Sequence, residues 1–371
     1  MGPMLRPALS ASLTILLCAA GSVEAQSTAT PTASQALAPT VSPSSDEPLD
    51  ALGSADLRKA LDFIKKNYVV PAALDDTEVD RATLAGLLDR LGRGLSLAPG
   101  KANAAATPAP FYHEIIGGHI GYLRPGALRK SDLADLENTL KAFATKNVDA
   151  IILDLRATAA TGDFTMAAEF AQRFVPKGGE LFALRGAAAG QERTFTSERS
   201  PAYTGFLSVL LDEETMGAPE VLASVLRARD KAILIGWTTA GGAVEYSELP
   251  LPGGMVLRVA VAEAVLPKES AGFPQGVQPD LPVTMPLGVK REIFAQSLTK
   301  GMAAFVFEED RPHLNEAALL AGTNPEIEAV QDRQQRRARG EKPPLHDAVT
   351  QRAVDVITSI GVYAKQPGRA P

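Results

Sequence analysis

Residues 205–220, GFLSVLLDEETMGAPE, determine the fold class of this 371-residue chain. The first seven form a continuous apolar run, which is typical of a strand buried on both faces of a parallel sheet. A polar turn follows, and Pro219 stands where the first turn of a helix over 220–229 is predicted. A strand, a turn and a helix in this order predict one unit of an α/β domain.

The same alternation continues on both sides of this stretch. Residues 149–155, DAIILDL, and 231–236, KAILIG, are again apolar runs that predict buried strands. Further elements are predicted from periodicity and turn signals. They are a strand or hairpin over 115–123, strands over 180–185 and 255–262, and helices over 131–145, with Ser131 as its N-cap, and over 165–174. The order of these elements predicts an α/β core of strand–helix repeats with crossover connections.

Helices are predicted on either side of this core. Apolar residues at helical spacing run from Leu57 to Ile64 and from Val79 to Leu95, with Asp76 or Thr77 as the N-cap of the second helix. The predicted domains are an N-terminal helical element over 55–97, a linker over 98–113, the α/β core over 114–286 and a C-terminal helical region over 287–371. That last region is predicted to hold three helices around a polar segment at 332–342.

The first 25 residues have the layout of a secretory signal peptide. An early arginine precedes an apolar run, and small residues precede Gln26. We therefore expect an exported protein, periplasmic or extracellular, with no stable membrane insertion after cleavage. Residues 26–54 are rich in Ser, Thr, Ala and Pro and are predicted to be a disordered linker. The single cysteine, Cys18, lies in the leader, so the mature chain has no thiol chemistry.

Composition and motifs exclude several classes of function. The net charge of -6 argues against nucleic acid as a partner, because phosphate binding needs clustered Lys and Arg. The four histidines lack the spacing of a metal site, and GxSxG, P-loop and GxGxxG motifs are absent from the sequence. We therefore predict no metal and no cofactor.

Three blocks of sequence resemble the catalytic core of the C-terminal processing, or tail-specific, serine peptidases. They are AIILDLR at 150–156, LSVLLDEETMGAPE at 207–220, and residues 232–280, which contain ILIGWTTAGG and end in QGVQPD. The resemblance implies a tail-specific-protease or crotonase-like core. It also implies a catalytic serine at a helix N-terminus and a lysine as its base.

Both positions of that implied dyad are glycine. The family places its serine three residues before the glutamate that opens the helix, here Glu220, which gives Gly217. Its lysine stands 25 residues further on, at Gly242. Glycine has no side-chain nucleophile or base. The family glutamine four residues past the lysine is Tyr246.

Other family features are also altered. The resemblance implies an oxyanion hole built from the Ala218 amide and from the turn after Asp-Leu-Arg, but that turn, residues 157–162, lacks the paired glycines of the family. The family PDZ module has no place, because only the linker at 98–113 separates the helices from the core. Asp154, Arg156 and Glu220 match supporting positions. We expect them either to form an ion-pair cluster or merely to cap and pair buried strand ends.

Three functions remain open from the sequence. The first is a catalytically inactive pseudopeptidase that binds an unstructured peptide or an envelope protein. The second is an active serine-type peptidase with another nucleophile, for which Ser208, Thr215 and Thr239 are candidates, although Ser208 is better explained as a core residue and Thr215 as a turn residue. The third is a cell-envelope interaction module that acts through the helices of residues 290–363.

Overall fold

A computed structural model describes residues 52–100, 107–187, 192–267, 271–306, 331 and 344–364. The chain divides into two compact units, one ending at Asp75 and one beginning at Asp76. The first unit contains helix α1 (Ser54–Asn67) and a 3-10 turn, Pro71–Leu74. The predicted leader, the linker up to residue 51 and the polar segment at 332–342 lie outside the described residues.

A six-stranded sheet forms the centre of the second unit. Its strands are β2 (Tyr112–Ile116), β3 (Ile120–Arg124), β4 (Ala150–Asp154), β7 (Phe206–Leu211), β8 (Ala232–Gly236) and β11 (Leu281–Pro282). They lie in the order β11-β8-β7-β4-β3-β2, and every pair is parallel except the β2–β3 hairpin. The predicted α/β fold is confirmed.

A second, antiparallel sheet is built around one long strand. Its members are β1 (Leu95–Pro99), β5 (Glu180–Gly186), β6 (Glu192–Thr196), β9 (Val244–Leu251) and β10 (Met255–Val265). Strand β10 pairs with β1, β5 and β9, and β6 extends the sheet beyond β5. The sequence did not predict β6, because its run ERTFT is short and polar.

Strand β1 differs from the sequence expectation. A helix was predicted up to Leu95 and a linker from Ala98. Helix α2 spans Asp76–Leu91 and therefore ends before Leu95. Gly92, directly after the helix, has a φ of +47°. Glycine adopts this left-handed conformation without steric cost, and helices commonly end at such a residue. The chain then pairs with β10, and the second predicted helix therefore falls in the second unit.

Helices cover both faces of the six-stranded sheet. Alternate strand residues point to opposite faces, so Ile151 and Leu153 pack in one core while Ile152 packs in the other. The first core is completed by α3 (Lys130–Thr145), α4 (Phe164–Ala171) and α5 (Ala218–Ala228). The second is completed by α6 (Leu287–Lys300), a 3-10 turn (Ala303–Phe305) and α7 (Ala348–Ala364).

Two helix starts show how local chemistry sets the boundaries. Helix α3 begins at Lys130, with Arg129 at the N-cap position, so the prediction of Ser131 as N-cap is wrong. The Ser131 hydroxyl donates to Asp132, whose carboxylate also accepts from the Ala127 amide. Helix α5 has a proline in its first turn, as predicted.

The last helix contributes directly to the second core. Val349, Ala353, Val354 and Ile357 of α7 are buried against the sheet. Among the described helices, none is both long and apolar enough to cross a membrane.

Truncation of Ile357 should measure the contribution of α7 to stability. Ile357→Ala leaves a cavity in the second core, so we expect the free energy of unfolding to fall by about 2–5 kcal/mol. Ile357 is 5% exposed, whereas Ile360 on the same helix is 42% exposed. The control Ile360→Ala should change stability by no more than about 0.5 kcal/mol. Urea denaturation measures both, and equal losses would contradict the packing described.

Candidate functional site

The two positions of the implied dyad lie at the carboxyl-terminal edge of the parallel sheet. Gly217 follows β7 and is the N-cap residue of α5, and Gly242 lies in the loop after β8. Both residues are buried. Because adjacent parallel strands end at the same edge, the fold brings these two residues, 25 apart in the chain, to one place.

One carboxylate joins the two positions. Glu220 Oε2 accepts from the amides of Gly217 and Gly242, at 2.7 Å each. Its Oε1 accepts from the Gly241 amide and from the Thr239 hydroxyl. The Glu220 side chain is fully buried, and these four neutral donors at a helix N-terminus replace the water that it loses.

This arrangement corrects one expectation from the sequence. Glu220 does not join Asp154 and Arg156 in an ion-pair cluster, because within the described chain its bonds go to amides and a hydroxyl. It acts as a clamp between the start of α5 and the loop after β8. The residue is therefore structural in this geometry.

The backbone leaves no room for a side chain at position 217. Gly217 has a φ of +76°, which L side chains rarely adopt. A Cβ placed there would lie 2.5 Å from the carbonyl oxygen of Thr161. Thr161 and Gly217 also form a parallel β-bridge, so the obstructing carbonyl is held in place by the backbone. A serine at this position would force the turn at 157–162 to move.

The implied oxyanion donor is already occupied. The Ala218 amide donates to the Thr161 carbonyl at 2.8 Å. An oxyanion hole needs donors that are free to meet the developing charge. The Thr161 carbonyl, in the turn at 157–162, thus takes the amide that the resemblance implies as an oxyanion donor.

Position 242 is less restricted than position 217, because the nearest atom to a Cβ there belongs to a flexible side chain. A Cβ on Gly242 would meet Met216 Cγ at 2.5 Å and Glu220 Oε2 at 3.5 Å. The Met216 side chain is flexible and could move.

Tyr246, at the family glutamine position, has a structural contact. Its hydroxyl donates to the Arg93 carbonyl at 2.8 Å, which joins β9 to the turn after α2. Burial raises the pKa of Tyr246 above its ordinary value of 10.0. The phenol stays neutral and remains a donor at physiological pH.

Asp154 and Arg156 belong to a separate buried network. The Arg156 guanidinium donates to both oxygens of Asp154 and to both oxygens of Asp347, the residue before α7. Tyr122 donates to Asp154 at 2.6 Å. Burial opposes the charge of Asp154, but the Arg156 cation outweighs it and lowers the pKa of that carboxyl below 3.8. The network ties the end of β4 to the last helix.

The three alternative nucleophiles are buried, and no hydrogen bond among the described residues joins one of them to a lysine, arginine or histidine nitrogen. Ser208 lies inside β7, and its hydroxyl has no partner in the described chain. Thr215 accepts from the Asp212 amide in a turn, and Thr239 accepts from the Val277 amide while donating to Glu220. A catalytic hydroxyl needs access to substrate and an activating base. None of the three meets both requirements.

The sequence also did not predict an ion cluster near this edge. Lys290 of α6 is buried, and its amine donates to Asp212, to Glu214 and to the Arg156 carbonyl. The acidic run after β7 was a visible signal, but a lysine 76 residues beyond Glu214 could not be matched to it. Within the described chain, no group of three His, Cys, Asp or Glu side chains is arranged to hold a metal ion.

Comparison with known proteins identifies relatives of this core. Residues 119–283 match the family model described as Peptidase family S41. Carboxyl-terminal-processing peptidase 1, chloroplastic, of Arabidopsis thaliana is 27% identical over 162 residues, which is 43% of this chain and 33% of the relative. The carboxyl-terminal-processing protease of Synechocystis sp. is 26% identical over 171 residues, 46% of this chain and 39% of the relative. The chain thus spans between a third and two fifths of these relatives.

A solved structure matches the chain with a low TM-score. It is the photosystem II D1 C-terminal processing protease, which superposes on this chain with a TM-score of 0.43 and 22% sequence identity. The match covers 59% of this chain and 53% of the protease chain. The resemblance of the sequence to the C-terminal processing peptidases is confirmed by the family match.

Substitution at Gly217 should be costly. Gly217→Ala places a Cβ against the Thr161 carbonyl and a side chain at positive φ, so we expect a loss of about 1–3 kcal/mol in the free energy of unfolding. The matched control is Gly162→Ala, whose Cβ would meet no atom within 4 Å. That variant should stay within about 0.5 kcal/mol of the parent. Chemical denaturation compares the two, and a tolerated Gly217→Ala would show that the Thr161 turn is free to move.

Loss of the Glu220 carboxylate should destabilise the edge of the sheet. Glu220→Gln replaces an acceptor with a donor that faces backbone amides, and leaves at least one buried amide without a partner. We expect a loss of about 3 kcal/mol or more in the free energy of unfolding. Glu198→Gln, at an exposed position, is the control and should have little effect. Similar stabilities for both variants would rule out the clamp.

Proposed function

Because residues 119–283 carry a Peptidase family S41 domain, we propose that this protein binds polypeptides without hydrolysing them. The match covers only part of each relative, so the proposal rests on the geometry of the site. The relatives are named for processing carboxyl termini of proteins. The ligand class that we propose is an unstructured polypeptide.

The observation that carries the proposal is the contact between Thr161 and the start of α5. The Thr161 carbonyl accepts a hydrogen bond from the Ala218 amide, and it lies too close to position 217 for a Cβ to be placed there. This contact leaves no place for a nucleophile at position 217 and occupies the oxyanion donor, and the base position, Gly242, has no side chain. One glycine alone could result from a shift in the alignment with the family pattern. Glycine at 217, glycine at 242 and an occupied Ala218 amide together favour an inactive site.

The fold nevertheless retains what a binding protein needs. The central sheet and both of its cores are complete around the altered site. In open α/β sheets, ligands bind outside the carboxyl ends of the strands. We propose this edge as the side on which the polypeptide docks, in a protein exported by the leader at residues 1–25.

The interaction-module alternative has less support. It requires the C-terminal helices to act by themselves, whereas α6 and α7 supply part of the second core. Deletion of these helices would expose the sheet. We therefore place the binding role on the whole domain.

A direct assay separates binding from cleavage. We expect residues 26–371 to bind a fluorescently labelled unstructured polypeptide saturably, as measured by anisotropy, and to leave it intact on prolonged incubation. Reproducible cleavage that copurifies with the protein would overturn the inactive assignment. Absence of binding would overturn the binding role.

Restoring the dyad should not restore hydrolysis. In the double variant Gly217→Ser, Gly242→Lys, the Thr161 carbonyl still blocks the serine and still occupies the Ala218 amide. We expect no proteolysis of the same polypeptide. Circular dichroism checks that the variant is folded, and Gly242→Lys alone tests the lysine position without the clash at 217. Proteolysis by the double variant would show that the oxyanion site is accessible.

A further inference from the structure

A second concave site lies at the same edge of the sheet, on the face covered by α6 and α7. It has a volume of about 90 Å³ and lies beyond the ends of β7 and β8. Its walls are apolar residues of both strands and of the helical face together with charged side chains, chiefly Leu211, Asp212, Glu213, Trp237, Met285 and Lys290. None of these residues bonds to Glu220, so the pocket is distinct from the altered dyad.

The unbalanced charge at this pocket is negative. Lys290 is bonded to Asp212 and to Glu214, and Glu214 also pairs with Arg291. Arg156, a further lining residue, is held between two carboxylates. Glu213 is exposed and forms no ion pair within the described chain. The two lining cations are thus satisfied, and the Glu213 carboxylate is available to a ligand.

An aromatic ring stands at the same pocket. Trp237 is the single tryptophan of the sequence, and it is 44% exposed directly after β8. The face of an indole attracts cations. A ring and an available carboxylate on one pocket suit a positively charged group that has an apolar stem.

We propose that this pocket receives the cationic end of a lysine or arginine side chain of the bound polypeptide. A cavity of about 150 Å³ holds benzene, which has six heavy atoms. The pocket of about 90 Å³ has room for about three or four heavy atoms, which suits a guanidinium group or the end of a lysine side chain. The net charge of -6 favours a cationic partner over long range. This inference rests on the proposed binding role and adds a specificity to it.

Small ligands test the pocket without the rest of the polypeptide. The probes are N-acetyl-lysine methylamide, N-acetyl-arginine methylamide and, as the uncharged control, N-acetyl-norleucine methylamide. We expect the two cationic probes to change Trp237 fluorescence saturably and to bind at least about fivefold more tightly than the norleucine probe. Glu213→Gln should weaken cation binding about threefold or more, whereas the exposed control Glu198→Gln should not. Equal responses to charged and uncharged probes would overturn the inference.

A pair of polypeptides separates this inference from the proposed function. The two are identical except that one carries a central lysine and the other norleucine, and both are titrated into the parent and into Trp237→Leu by calorimetry. Preference for lysine that disappears in Trp237→Leu supports the pocket. Equal binding of both polypeptides overturns the cation specificity and leaves the binding role intact. Binding of the small cations without binding of either polypeptide overturns the binding role and leaves the pocket intact.

Discussion

The buried carboxylate of Glu220 is the interaction on which this edge of the molecule depends. It collects three backbone amides and one hydroxyl from two loops that follow neighbouring strands. A carboxylate without water must be surrounded by donors, so the loops cannot separate without leaving a charge unsatisfied. The same clamp fixes Gly217 and Gly242 next to each other although neither has a side chain to use.

The residues at the positions implied by the family resemblance make structural contacts in this chain. The Gly217 backbone turns into α5 in a conformation suited to glycine, the Tyr246 hydroxyl bonds to the turn after α2, and Thr161 forms a β-bridge with Gly217. Each replacement is compatible with its neighbours. Reversal of one change alone therefore meets an obstacle set by another.

Most of the fold follows from local sequence signals, whereas the site does so only in part. Apolar runs such as residues 149–155 predicted the parallel strands, because strands buried on both faces need continuous apolar sequence. The short polar strand β6 and the strand β1 were missed, since their pairing with distant strands overrides a weak local pattern. The glycines were found through the family resemblance. The contact of the Thr161 carbonyl with Gly217 was not predicted, because a backbone contact between distant loops has no sequence signature.

The network around Arg156 has a consequence for the order in which the protein is made. One guanidinium is shared by Asp154 and by Asp347, which is 191 residues further along the chain from Arg156. Until the ribosome has synthesised the segment that holds Asp347, the arginine at the end of β4 lacks its second carboxylate and one face of the sheet lacks α7. Contacts of such long separation form slowly. The contacts of Arg156 are thus complete only after the segment that holds Asp347 has been synthesised.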